Sequence, residues 1–162
     1  SGHDTAFSGD LREPISDAIS RLTRMSPRPA IICPDSLSGS DDILVAYDGS
    51  LPAMRALQMF TLRGLGTGRQ SQVMSIDGDE ELAVRRANGA AAYLRSHGIT
   101  VSVAPVATRV HPSEVLRIEI AQRKIGTLVM GAYGRRGFRE MLFGSTTNTL
   151  VEEPPCALFV YH

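Results

Sequence analysis

The 162-residue chain predicts an α/β fold: an open five-stranded parallel sheet with helices on both faces, preceded by an N-terminal helix–strand arm. Three observations carry that expectation. From Asp42 onward, short β-rich runs alternate with helical stretches, the order that builds right-handed crossovers and a parallel sheet. Two runs, Ile43-Leu44-Val45-Ala46-Tyr47 and Thr127-Leu128-Val129-Met130, are almost wholly apolar, as strands covered on both faces must be. Each is followed by a break rich in glycine and small polar residues, which suits the carboxyl ends of strands in such a sheet.

The elements follow in order. After the first run, Asp48-Gly49-Ser50 breaks the strand, Ser50 is a plausible N-cap and Pro52 falls in a helix's first turn. Ala53, Ala56, Leu57 and Phe60 then repeat on one helical face. Gly64, Gly66 and Gly68 follow this helix rather than a strand and read as a turn. Gln72-Val73-Met74-Ser75-Ile76 is the second strand. The next helix carries Ala83, Ala87, Ala90, Ala91 and Leu94 on one face and stops at His97-Gly98. Thr100 to Val106 is a third strand, whose Pro105 suits a sheet edge. His111-Pro112-Ser113-Glu114 opens a third helix, with Val115, Leu116, Ile118 and Ile120 as core candidates. A glycine-rich loop after the fourth strand leads to a short helix from about Ser145 and a last strand, Ala157 to Tyr161.

Composition narrows the function classes. Seventeen Lys+Arg balance seventeen Asp+Glu, which argues against an electrostatic nucleic-acid binder and leaves room for a small anion held by a few donors. No apolar run approaches the ~20 residues that span a bilayer. Cys33 and Cys156 are too far apart for a metal cluster or a disulfide framework. The start, Ser1-Gly2-His3-Asp4, has neither a Met nor a signal-peptide pattern and reads as a cloning scar or an internal cut. A soluble, cytoplasmic, mixed domain is expected.

The informative segment runs from Gly131 to Thr146. Gly131 and Gly134 would let the backbone take positive φ and approach a ligand. Gly144-Ser145 would open a helix whose unpaired N–H groups favour a phosphate, with Ser145 as cap or donor. Arg135 and Arg136 would add charge near the same anion, or form a solvated surface pair. There is no G-x-x-x-x-G-K-[ST], and the first strand ends in Asp48-Gly49-Ser50 rather than G-x-G-x-x-G, so neither the Walker loop nor the dinucleotide fingerprint applies.

Gly131-x2-Gly134-x9-Gly144-Ser145, a first strand ending in Asp48-Gly49-Ser50, and Pro155-Cys156 before a terminal β run together resemble the ATP-binding branch of the universal stress protein family. The resemblance spans Asp41 to His162, about three quarters of the chain, and implies an adenine nucleotide alpha hydrolase-like fold. It implies ATP, with or without Mg2+, in the crevice. Ala46, Tyr47 and Asp48 would line the adenine and ribose side, and Ser75 would meet the adenine edge through its backbone. Met130 and Gly131 would lie beside the ribose; Gly134, Gly144, Ser145 and Thr146 would hold the phosphates. Tyr47 departs from the small or β-branched residue usual there and would either stack on the nucleotide or crowd it. Asp48 has a second reading, as a turn acceptor. His111 reads as a loop residue near a helix start rather than a base.

Residues 1–40 stand outside that domain. At a constant offset of 128, Leu22 matches Leu150 and Pro27 matches Pro155, each leading into a β segment. Residues 1–35 therefore read as the last helix and strand of a first universal stress protein domain, 36–40 as a linker, and 41–162 as a complete second domain. An unpaired strand edge invites addition, and in this family the last strands of two domains pair antiparallel. Arg28–Cys33 is therefore expected beside Ala157–Tyr161 of the same or a neighbouring chain, as tandem pairing or a homodimer. Cys33 and Cys156 would come near one another without a disulfide.

The functional expectation is a nucleotide-dependent stress-response module with little or no hydrolysis. Its alternatives are a nucleotide-free dimerisation domain and a weak ATPase. No catalytic residue and no metal site is singled out.

Overall fold

The computed structural model describes residues 18, 21, 25–132 and 142–162. Its elements are β1 (Ala30–Ile32), β2 (Ile43–Ala46), α1 (Leu51–Leu62), β3 (Ser71–Asp77), α2 (Glu80–Ser96), β4 (Val101–Ala107), α3 (Pro112–Arg123), β5 (Thr127–Gly131), α4 (Leu142–Glu152) and β6 (Ala157–Tyr161). The expected helix of the arm lies mostly outside the described residues, as do Gly134, Arg135 and Arg136.

The chain steps outward from β2 through β3 to β4, then crosses to the other side of β2 for β5 and β6. The sheet order is β1-β6-β5-β2-β3-β4. The five strands β2 to β6 are parallel, as expected. β1 adds a sixth, antiparallel strand, with Ala30 opposite Val160 and Ile32 opposite Leu158. The direction of winding reverses between β2 and β5, so the crevice opens at their carboxyl ends.

Alternation along the strands divides the core into two layers. Ile43, Val45 and Val73 face α1 and α2, where they meet Ala56, Leu57, Phe60 and the alanines of α2. Leu44, Ala46, Met74 and Leu128 face α3 and α4. The small residues of α2 let it lie close to the sheet: Ala83, Ala87 and Ala91 are fully buried. Phe60 of α1 meets Phe159 of β6 edge to face, with ring centroids 5.4 Å apart, a favoured aromatic geometry. On α3 only part of the expected face is core. Leu116 and Ile120 are buried, Val115 is partly buried, and Ile118 is 53% exposed. Two helical steps from Leu116 turn a side chain about 200° round the axis, away from the sheet.

Pro105 sits where an edge strand tolerates it. Ser71 N–H donates to Thr100 C=O, and Thr108 N–H donates to Asp77 C=O. That phase turns the even-numbered N–H groups of β4 into the sheet, so Pro105 costs no ladder donor.

The final helix begins at Leu142 rather than near Ser145. Serine is the common N-cap and drew the expected start, but the helix runs through Leu142 and Phe143 before it. Gly144 and Ser145 therefore belong to its first turn. No helix among the described residues is long and apolar enough to cross a membrane.

Hydrogen bonds on either side of β1 tie this segment to the rest of the fold. Tyr161 Oη donates to Pro27 C=O at 3.1 Å. Ser40 N–H and Ser40 Oγ both donate to Lys124 C=O, at 2.7 and 3.0 Å. This contact requires glycine at 126, because a Cβ there would lie 1.9 Å from Ser40 O. Continuing the β1–β6 register puts Cys33 opposite Ala157, next to Cys156, yet Cys33 is exposed, Cys156 is buried, and both thiols are free. Gly126→Ala should lower stability by about 2 kcal/mol, the cost of overpacking, and speed proteolysis of the arm. Urea unfolding and limited trypsin digestion read the two effects.

Candidate functional site

The end of β2 turns sharply into α1. Asp48 Oδ1 accepts from Ser50 N–H at 2.9 Å, Gly49 takes φ +79°, and Ser50 caps α1 by accepting from Ala53 N–H at 3.3 Å. Asp48 is thus a turn acceptor, whatever else it does. The positive φ explains the glycine at 49.

Gly131 is glycine for a different reason from the one expected. It does not take positive φ. A Cβ on it would lie 2.3 Å from Ala53 N and 2.5 Å from Pro52 C. The first turn of α1 rests directly on the last residue of β5, and that close approach admits no side chain. The glycine brings the carboxyl ends of β2 and β5 and the start of α1 to one place.

Beside this turn lies a pair that the sequence pattern did not reveal. Arg86, on α2, donates from Nη1 to Asp77 Oδ2 at 2.7 Å. Its Nε would stand 3.1 Å from a Cβ on Gly49. The pair is partly exposed, so its direct contribution to stability is small; its effect is to place a guanidinium at the mouth of the crevice. Tyr47 lies in the same neighbourhood, half-buried. Burial pushes its phenol above the ordinary value, the Asp48 carboxylate adds to this, and Arg86 pulls the other way. The phenol therefore stays protonated near neutral pH.

The expected base-edge position, Ser75, has its side chain fully buried and its hydroxyl without a partner. Such an orphaned polar atom costs about 1–3 kcal/mol unless something else satisfies it. Its backbone points elsewhere. Odd-numbered residues of β3 bond to β4, as at Ser71 and Asp77, while Met74 C=O accepts from Tyr47 N–H on the β2 side at 2.9 Å. Beyond Ala46, the last paired residue of β2, the backbone edge facing the gap belongs to Ile76.

The side chains of Met130 and Ala46 are buried in the α3–α4 layer, which leaves only their main chains to face a ligand. Ala132 N–H donates to Tyr161 C=O at 2.8 Å and carries β5 one residue past its end. Thr146 is fully buried in α4, whereas Ser145 is exposed.

Arg117 of α3 and His111, the residue that caps it, hold α4 in place. Arg117 Nη2 donates to Thr149 C=O at 3.0 Å and to Glu153 C=O at 2.9 Å, near the end of α4. At the other end, His111 Nε2 lies 3.0 Å from Ser145 Oγ. His111 is the N-cap of α3, and its partner stands 34 positions away. No local pattern signals that pairing.

Among the described residues no group of three or more His, Cys, Asp or Glu is placed to hold a metal ion. Burial pushes the Cys156 thiol up to about 11, too high for a thiolate nucleophile near neutral pH. The described residues of the site offer backbone edges, a helix start, hydroxyls and the Arg86 guanidinium. Arg86→Met should move the Tyr47 phenolate transition to higher pH, since it removes the group that lowers it. A difference titration at the phenolate absorption band, against Tyr47→Phe, reads the shift; an unchanged transition would separate Arg86 from Tyr47.

Comparison with known proteins agrees with this architecture. The model of the universal stress protein family matches residues 63–162. The chain is 25% identical over 129 residues to Universal stress protein Slr1230 of Synechocystis, a match that spans 78% of this chain and 44% of the relative. It thus spans less than half the length of that curated relative. A universal stress protein from Archaeoglobus fulgidus superposes with a TM-score of 0.66 at 22% identity, over 91% of this chain and 52% of the other. A universal stress protein family protein from Arabidopsis thaliana, solved with AMP bound, superposes with a TM-score of 0.55 at 12% identity, over 74% of this chain and 90% of the other. With more than half its length matched by the family model and its sheet order in place, the chain belongs to the universal stress protein family.

Proposed function

We propose that the chain binds ATP at the carboxyl ends of β2 and β5 and acts as a nucleotide-dependent regulatory module with little or no hydrolysis. The observation that carries this reading is the construction of the crevice. Gly131 lets α1 sit on β5, and the Asp48–Gly49–Ser50 turn and the first turn of α4 flank the place where the winding reverses. A helix start offers N–H groups to phosphate without any surplus of basic residues, which suits a chain of zero net charge.

The residues present fit an adenine nucleotide. The backbone of Ile76, rather than Ser75, would read the base edge, and the buried Ser75 hydroxyl would gain a partner from the ligand or from a water bound with it. The main chains of Ala46, Met130 and Gly131 would lie near the ribose, with Tyr47 and Asp48 at its side. The main-chain N–H groups of Gly144, Ser145 and Thr146 would face the phosphates, joined by Gly134 and, at the margin, Arg135 and Arg136. Mg2+ would accompany the phosphates as a counter-ion. AMP in the Arabidopsis relative supports the ligand class.

The same reading covers organisation. The Archaeoglobus match takes in nearly all of this chain and about half of a longer one, and β1 pairs with β6 as the last strand of a neighbouring domain would. Residues 1–35 then belong to a first domain, 36–40 link it, and 41–162 form the nucleotide-binding domain, in a cytoplasmic tandem protein or dimer.

Heat-denatured protein should release an adenine nucleotide, and ATP at about 100 times its Kd should add roughly 2.7 kcal/mol of stability. Gly144→Val should abolish that gain. No released nucleotide and no ATP-dependent rise in Tm would leave the nucleotide-free interaction domain as the reading. Turnover with and without Mg2+ separates a binder from an ATPase.

A further inference from the structure

We propose that the groove at the carboxyl end of α3 binds a small amphipathic carboxylate, a molecule with one carboxylate group and a short apolar body. This site does not depend on the nucleotide reading. The groove holds about 380 Å³, within the range of small-ligand sites. Ile125 and Pro155, which line it, stand just ahead of β5 and β6. It therefore opens at the amino ends of these strands, away from the carboxyl ends where the crevice lies. Ile120, Ala121, Ile125 and Pro155 give it apolar walls, and residues 38 and 39 form a further wall. That further wall is fixed. Gly39 takes φ +131°, and a Cβ on it would lie 2.9 Å from Ile125 O and 3.0 Å from Lys124 O. The chain is thus pressed against the turn between α3 and β5, where Ser40 fastens it to Lys124 C=O.

Charge decides the occupant. Arg117 and Lys124 are the charged residues that line the groove. Free carbonyls at a helix end would favour a cation here, but the chain's own donors already take them. Lys124 N–H and Ile125 N–H bond to Ala121 C=O and Ile120 C=O, and Ser40 bonds to Lys124 C=O. Arg117 Nη2 bonds to Thr149 C=O and Glu153 C=O. Among the described residues every contact of the Arg117 guanidinium leaves from Nη2, and the Lys124 ammonium has no partner. The Glu153 carboxylate stands 3.8 Å from Arg117 Nη2 but is 88% exposed, so water and salt screen it. Arg117 Nη1 and the Lys124 ammonium are left as donors beside an apolar wall. A carboxylate takes both as charge-assisted hydrogen bonds, and a short apolar body attached to it covers the wall.

Hexanoate, hexan-1-ol, hexylamine and inorganic phosphate, each titrated into the full chain, test charge and apolar body separately. The amide resonances of Ala121 and Ile125 report binding. Hexanoate should shift them saturably and bind about tenfold more tightly than each of the other three. Lys124 has φ +54°, the one positive φ outside glycine among the described residues, and it ends α3 where glycine is usual. Lys124→Gly therefore removes the ammonium while relaxing the backbone. Its Tm should rise by about 3 °C, whereas its affinity for hexanoate should fall about tenfold. Ala121→Glu, at an exposed helical position, sets a carboxylate against the ligand's own. It should abolish hexanoate binding with Tm within about 2 °C of the wild type. The absence of a saturable shift with hexanoate would overturn the proposal. So would hexan-1-ol, hexylamine or phosphate binding as tightly as hexanoate, or wild-type affinity for hexanoate in either variant.

Discussion

The close approach of α1 to the last residue of β5 sets how the strand ends and the helix start are arranged around the switch point. Gly131 has room for no Cβ because Ala53 N and Pro52 C occupy the space. With that contact in place, α1 lies low across the switch point, its buried face of Ala53, Ala56, Leu57 and Phe60 meets the sheet, and the Asp48–Gly49–Ser50 turn is held beside the end of β5. A side chain at 131 would lift the helix and separate the two strand ends between which the crevice opens. Packing, rather than ligand contact, accounts for this glycine.

On the other face, α4 is placed by polar contacts at both ends. Arg117 satisfies carbonyls at the end of α4, and His111 holds Ser145 at its start. Between them Leu150 and Val151 bury against the sheet. Apolar contact alone would let a helix of eleven residues slide along its axis; directional bonds at its two ends fix the phase. The Asp77–Arg86 pair adds a fixed charge across the crevice, beside Tyr47 and Gly49.

Much of this was legible in the sequence, for reasons that differ by element. Continuous apolar runs marked β2 and β5 because both faces of those strands are covered. The alanine spacing of α2 survived folding unchanged. The antiparallel pairing of β1 with β6 was expected because an open strand edge invites addition. Ile118 misled because apolar content was read without the rotation that turns it outward. Gly131 misled because a sequence does not say whether a glycine serves positive φ or close packing. Arg86 with Asp77, and His111 with Ser145, were missed because each joins separate elements. Their meeting is a product of topology and leaves no local spacing to read.

Gly131 is required by the fold before any ligand enters. Urea unfolding of Gly131→Ala in nucleotide-free protein measures that requirement apart from any effect on binding. A loss of about 3 kcal/mol, or failure to fold, is the expected result, given the cost of forcing a methyl group into occupied space. An unchanged unfolding midpoint, with only nucleotide affinity altered, would show instead that the glycine serves the ligand.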